Sequence, residues 1–371
     1  MKWLLYNMTD KDIITSQKNN EAVNRVNKVK LDHVWKIFGP NPQYILNTIS
    51  QTTPNDEILS QTGHVVAVRD VSLDIAEREI FVVMGLSGSG KSTLIRCLSR
   101  LIEPTSGQVF VNANGAMADV TAMDDNALRQ LRRHTVSMVF QRFGLFPHRR
   151  VIDNVGYGLE IQGLKPDERR AKSEQVLELV GLTDWAMYYP HELSGGMQQR
   201  VGLARALAVD PEIMLCDEPF SALDPLIRRD MQNELLRLQM TLNKTIIFIT
   251  HDFLEAIKLG DRIAIMKDGE IVQIGTPQQI VAHPVNDYVR EFTQDVPRAK
   301  VLTAESIMQT VPTEMGTTIQ PQRVVSPTTT LEALIPYVIE SNSPLFVVDA
   351  QEQLVGILDQ KTVLLSIGSN S

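Results

Sequence analysis

Three short stretches of this sequence carry groups suited to phosphate chemistry. Gly85-Leu86-Ser87-Gly88-Ser89-Gly90-Lys91-Ser92 matches GxxxxGK[ST] in full. Its glycines let successive backbone N–H groups turn inward onto phosphate oxygens, and the start of the following helix adds a partial positive charge. In such a loop Lys91 reaches the β- and γ-phosphates, and Ser92 offers its hydroxyl to Mg²⁺. The apolar run Ile213-Met214-Leu215-Cys216 ends in Asp217-Glu218, two carboxylates at the mouth of a buried strand. Asp217 suits a Mg²⁺ shell, and Glu218 can orient or deprotonate an attacking water. Alone, an acidic pair after an apolar strand is more often a solvated strand end, so its weight comes from the phosphate loop upstream. Leu193-Ser194-Gly195-Gly196-Met197-Gln198 is a second glycine-rich turn opening a helix, with Ser194 as N-cap, and hence a second anion site. One bound nucleotide does not need two.

Loops of this kind work only when strand ends and helix starts hold them. Ile80–Met84, Val136–Phe140, Ile213–Leu215 and Thr245–Ile249 read as buried strands. They alternate with helical patterns such as Thr93–Leu98 and Val201–Leu207, which predicts an α/β layer on a mostly parallel sheet from Val29 to about Thr293. Between Phe38 and Val66, Thr53-Pro54-Asn55-Asp56 predicts a helical insertion in which Thr53 is the cap, Pro54 takes the first position and Asp56 completes a capping box. At Asp295-Val296-Pro297-Arg298 the proline ends a helical pattern and a new region begins. There Thr329 and Glu332 predict a capped helix with Leu331, Leu334, Ile335, Val338 and Ile339 on one face. Leu345–Val348 and Leu354–Leu358 predict a hairpin through Asp349–Glu352. So small a unit is expected to lean on a second copy. Residues 1–26 show no sustained period and read as a mobile extension.

Composition narrows the function. The 371 residues carry 36 Lys plus Arg against 44 Asp plus Glu, a formal charge of −8, which argues against a chain-wide footprint for nucleic acid or anionic lipid. Cys97 and Cys216 lie far apart inside apolar runs, so neither a disulfide framework nor a zinc site is expected. No run approaches the roughly 18 apolar residues of a membrane helix, and Met1–Tyr6 is too short for a signal-peptide core. The expected location is the cytoplasm, unless a partner holds the chain at a membrane.

In this order the motifs resemble the ATP-binding subunits of ATP-binding-cassette (ABC) transporters, over roughly Val29 to Thr293. The resemblance implies an α/β fold of the P-loop NTPase class: an ABC-type nucleotide-binding domain with a helical subdomain, over residues 27–294 with an insertion at about 39–65. Phe38 stands where the adenine-stacking aromatic sits, and Gly85, Ser87, Gly88, Ser89, Gly90, Lys91, Ser92 and Thr93 stand where ATP is held. Gln141 is the glutamine that senses the γ-phosphate and joins Ser92 and Asp217 around Mg²⁺. Ser194, Gly195, Gly196 and Gln198 belong to the family signature, and Asp224 closes the D-loop Ser221-Ala222-Leu223-Asp224; both are nucleotide contacts. The catalytic set implied is Glu218 as general base, the switch histidine His251, and Gln141. In the family two such domains face each other head to tail, so ATP on one phosphate loop is covered by the other chain's signature. That explains two anion sites on one chain and implies a homodimer closed by ATP and reopened by hydrolysis.

A narrower resemblance links the insertion after Phe38, the run Val83–Gly88 and the stretch Phe220–Arg228 to the glycine betaine/proline (quaternary amine) uptake ATPases. It implies an importer of compatible solutes, with integral membrane permease subunits and a substrate-binding protein or domain as partners and no nucleic acid. The chain would then sit at the cytoplasmic face of the plasma (inner) membrane, peripheral through the permease. Phe143-Gly144-Leu145-Phe146-Pro147-His148, with two exposed-type aromatics, lies where the family receives the permease's coupling helix. Those importers carry C-terminal cystathionine-β-synthase (CBS) motifs, and residues 299–371 resemble one, a small α+β CBS-like regulatory domain. Where ligand-binding CBS motifs usually have Ser or Thr and then Asp, this chain has Asp359 and Thr362, and a carboxylate disfavours phosphate there. ABC-type ATPases that act on DNA place long arms between phosphate loop and signature, whereas only 52 residues separate Gln141 from Ser194 here. Ribosome-acting members carry two cassettes in one chain, and a sensor without turnover would lack Glu218 or His251.

Overall fold

Apolar runs without polar interruption bury both faces of a strand, which suits the middle of a parallel sheet covered by helices. The computed structural model describes residues 26–48, 53–113, 115–141, 144–310, 323–340 and 343–368; of the extension read over residues 1–26, all but Val26 lie outside these, as does Phe143. The first ten strands are β1 (Asn27–Phe38), β2 (Val65–Ala76), β3 (Ile80–Met84), β4 (Ser106–Ala113), β5 (Ala116–Asp119), β6 (Val136–Val139), β7 (Ile213–Asp217), β8 (Thr245–Thr250), β9 (Arg262–Lys267) and β10 (Glu270–Gly275). One sheet has the order β10-β9-β3-β8-β7-β6, parallel from β9 through β6. The other, β2-β1-β4-β5, is antiparallel. A single apolar core joins them, with Val29 and Leu31 of β1, Phe81 and Val83 of β3, and Leu94, Ile95 and Leu98 of the helix Lys91–Leu98. Between β6 and β7 the helices Val151–Val155, Tyr157–Ile161, Pro166–Leu179 and Gly195–Ala208 form the helical part of the cassette.

The insertion after Phe38 is helical, as expected, with Pro42–Thr48 and Asn55–Thr62, and it builds a small core of Ile45 and Ile58 with Trp35, Ile37 and Val66. Its cap differs from expectation. Pro54, not Thr53, is the N-cap, and the Thr53 carbonyl instead accepts from Arg69 Nη2 at 2.6 Å. Asp56 and Glu57 still place negative charge in the first turn, where the helix dipole favours it.

Contacts divide the chain into two compact units, Val26–Ile274 and the residues from Gly275 onward. In the second, β11 (Gln309–Thr310), β12 (Val324–Val325), β13 (Leu345–Val348) and β14 (Leu354–Leu358) form a sheet ordered β11-β14-β13-β12. The expected hairpin is β13 and β14 paired antiparallel, its turn tied by Gln351 N and Gln353 N donating to Asp349 Oδ1. The helix Leu331–Glu340 buries Leu331, Leu334 and Val338, while Ile339 is 73% exposed. Its cap is Thr330, whose Oγ1 accepts from Ala333 N, because Thr329 Oγ1 is occupied by Ser326 N in the preceding turn. Among the described residues no helix is long and apolar enough to cross a membrane.

Candidate nucleotide site

Strand register decides which loops meet. Met84 of β3 pairs with Thr250 of β8, and Asp217 of β7 pairs with Ile249 of β8. Residues 85, 218 and 251 therefore leave the sheet side by side at the carboxyl ends of its strands, the usual place for ligands in open α/β sheets.

The loop Gly85–Ser92 turns between β3 and its helix through positive φ at Gly85 (154°), Gly88 (84°) and Gly90 (99°). A Cβ at Gly90 would lie 2.0 Å from Ala67 O, whereas at Gly88 nothing lies within 4 Å, so space remains on that side of the loop. Gly90→Ala is therefore expected to destabilise the chain by about 3 kcal/mol, from strained backbone and close contact together, as denaturant unfolding would show. Lys91 is buried, and its Nζ donates to Gly85 O at 2.9 Å and Leu86 O at 2.8 Å. Burial pulls its ammonium below the ordinary lysine range, while the charges of Glu218 and Asp217 draw it back up. Ser89 is buried, Ser87 exposed and Thr93 half-buried.

Ser92 Oγ donates to Asp217 Oδ1 at 2.7 Å, and Arg96 Nη2 donates to Asp217 Oδ2 at 3.1 Å. Sequence reading missed Arg96; its signal is the i, i+4 spacing from Ser92 on the helix Lys91–Leu98. The hydroxyl and carboxylate oxygens of Ser92 and Asp217 are hard donors, the type Mg²⁺ takes alongside substrate phosphates. Glu218 adopts φ 45°, an uncommon conformation for a residue with a side chain, and its Oε2 lies 3.1 Å from His251 Nδ1. Its carbonyl accepts from Ser221 Oγ at 3.1 Å, and Gln141 Nε2 donates to that same Ser221 Oγ at 3.3 Å. The structure thus joins Gln141, Ser221, Glu218 and His251 in one chain of contacts.

The signature turn opens a different helix, Gly195–Ala208. Ser194 Oγ accepts from Met197 N at 3.3 Å and caps the helix Gly195–Ala208, leaving Ser194 and Gly195 exposed. Gly196 allows close packing, since a Cβ there would lie 2.6 Å from Ile227 Cγ2. Gln198 Nε2 donates to Pro190 O at 3.0 Å and Leu193 O at 3.2 Å, so its amide shapes its own turn. Asp224 Oδ1 caps the helix Pro225–Leu242 by accepting from Ile227 N at 3.1 Å. Phe38 ends β1 at 41% exposure, with Lys36 Nζ 5.0 Å from its ring centroid. Phe146 is not a free aromatic: its ring meets Tyr157 at 4.6 Å, and its backbone N donates to Asn154 Oδ1. Cys97 and Cys216 are free and buried, and burial pushes both thiols up to about 12.

The ABC transporter family profile matches residues 68–221. The glycine betaine transport ATP-binding protein OpuAA of Bacillus subtilis is 49% identical over 89% of this chain and 76% of its own length. The glycine betaine/proline betaine transport system ATP-binding protein ProV of Escherichia coli is 51% identical over 77% of this chain and 70% of its own. The trimethylamine N-oxide transport system ATP-binding protein TmoW of Ruegeria pomeroyi is 48% identical over 90% and 94%. Among solved structures, the ATP-binding cassette MJ0796 as a post-hydrolysis dimer bound to ADP and Pi is similar at a TM-score of 0.56 and 32% identity, covering 67% of this chain and 98% of that one.

Proposed function

This chain belongs to the ATP-binding subunits of ABC transporters, and from that premise we propose that it hydrolyses ATP to drive import of glycine betaine, proline or a related quaternary amine. The observation that carries the hydrolytic part is the convergence of Lys91, Ser92, Asp217, Glu218 and His251 at the carboxyl ends of neighbouring strands. The solute class rests on the relatives, whose names span glycine betaine, proline betaine and trimethylamine N-oxide. In this reading the Gly85–Ser92 backbone and Lys91 bind the triphosphate, Thr93 supports the loop, and Phe38 stacks on the base. Ser92, Asp217 and Gln141 would hold Mg²⁺, which would neutralise negative charge on the β- and γ-phosphates. Glu218 accepts the proton of the attacking water, and His251, paired with its carboxylate, keeps that group aimed. Ser194, Gly195, Gly196, Gln198 and Asp224 act across a head-to-tail homodimer, on the partner chain's nucleotide.

Permease subunits and a substrate-binding protein or domain complete the importer at the cytoplasmic face of the membrane, and nucleic acid is not a partner. Reconstitution with the permease tests this: ATP-dependent uptake of labelled glycine betaine, competed by proline or trimethylamine N-oxide, is the expected result. Uptake of none of these despite ATP turnover would reject the solute class.

We further propose that residues 27–294 are the ATPase domain and 299–371 a CBS-like regulatory domain that pairs with its counterpart without adenosine nucleotide. Asp359 Oδ1 accepts from Thr362 N at 2.6 Å, which holds its carboxyl below the ordinary range and keeps a negative charge at the ligand place. Deletion from Arg298 onward is expected to preserve ATP hydrolysis and change how transport responds to ionic strength. Calorimetry of AMP into the full chain is expected to show no micromolar binding. An unchanged salt response would reduce the tail to a structural role.

A further inference from the structure

Two helices lead directly away from the reacting end of the sheet. Pro225–Leu242 starts at Asp224, and Phe253–Leu259 starts at Asp252, next to His251, where Asp252 Oδ1 accepts from Glu255 N at 3.1 Å. Arg228 and Gln232 lie one turn apart on the first helix and share a face. From Arg228, Nε donates to Phe220 O at 3.2 Å and Nη2 to Leu223 O at 3.1 Å, while Nη1 lies 3.7 Å from Asp252 Oδ2. One turn on, Gln232 donates through Nε2 to Glu255 Oε1 at 3.0 Å, and its Oε1 accepts from Lys258 Nζ at 3.0 Å. Gln232 and Glu255 are both buried, so this seam is fixed at its inner end.

We propose that Arg228 is a positioning residue for ATP hydrolysis: its guanidinium ties the Phe220–Leu223 turn to the Asp252 cap, so that Ser221 and His251 are held against Glu218 as one piece. The contacts form a closed circuit. Ser221 Oγ bonds the Glu218 carbonyl, His251 Nδ1 meets the Glu218 carboxylate, and Arg228 closes the loop behind them. The Arg228–Asp252 pair is about a third exposed (30% and 36%), and solvent screening leaves such a pair little weight in stability. What it supplies is geometry, because a planar fork bonds two carbonyls while facing a carboxylate, where a lysine ammonium is a single point charge.

The inference rests on Glu218 as the base, and the experiment separates the two. In the full chain, Arg228→Met and Arg228→Lys are each expected to lower kcat about tenfold with the ATP KM within about twofold. Arg228→Lys should resemble Arg228→Met, since charge without the fork does not suffice. Adding Asp252→Asn to Arg228→Met should cost little more, the signature of two groups in one contact. A kcat near wild type in both Arg228 variants overturns the inference, as does an equal loss in kcat and ATP affinity accompanied by a lower Tm. If Glu218→Gln keeps wild-type turnover, the base assignment fails and the inference falls with it. If Glu218→Gln is inactive while the Arg228 variants are normal, the inference alone is lost.

Discussion

Glu218→Gln is expected to lower ATP turnover by about 10²–10⁴-fold, the usual contribution of a positioned proton acceptor. Nucleotide affinity should stay within a few-fold of wild type, because Lys91 and the loop carbonyls and amides around it are untouched. Glutamine keeps the volume of the side chain and an oxygen facing His251, and the backbone at φ 45° is held by Ser221 donating to the residue 218 carbonyl. The substitution therefore removes basicity with little change in shape. With binding intact and hydrolysis blocked, an ATP-closed dimer should accumulate and elute as such from a sizing column. Steady-state phosphate release from the purified variant checks the first part, and wild-type turnover would remove Glu218 from the role of base.

Lys91→Ala and Ser194→Arg are each expected to be inactive alone and to recover nucleotide trapping when the two chains are co-expressed. Lys91→Ala takes away the cation buried in the phosphate loop. Ser194→Arg places a long cation at an exposed helix N-terminus that already carries partial positive charge, and it costs the cap about 1 kcal/mol, too little to unfold the chain. In a homodimer of either variant both composite sites are damaged. Random pairing of equal amounts makes about half the dimers mixed, and each mixed dimer has one site with both groups intact and one with both missing. Trapping should then return to roughly a quarter of the wild-type level, measured with labelled ATP under hydrolysis-blocking conditions. Full occlusion by single chains, or no recovery on mixing, would show that signature and phosphate loop do not share a nucleotide.

The phosphate loop, the acidic strand end and the signature turn were legible in the residues themselves, because each is encoded within about ten positions by glycine spacing, one apolar strand and one capped helix. β3 runs from Ile80 to Met84 in sequence pattern and structure alike, since a run with no polar residue has one way to be buried. The helix behind the signature starts at Gly195, earlier than the apolar period at Val201 indicates, because the Ser194 cap carries the helix through two glycines. Caps shifted by one residue at Pro54, whose own carbonyl accepts the first intrahelical bond from Ile58 N, and at Thr330, where Thr329 Oγ1 is already taken by Ser326 N. Ser92 finds Asp217 across 125 positions, Arg96 joins them, and Glu218 faces His251 only because β8 lies between β3 and β7. Strand order in a parallel sheet is a property of how crossovers pack, so no local period reports it. Motif identity was therefore a matter of sequence, while which motifs touch, and through which side chains, was decided by the order of strands in the folded sheet.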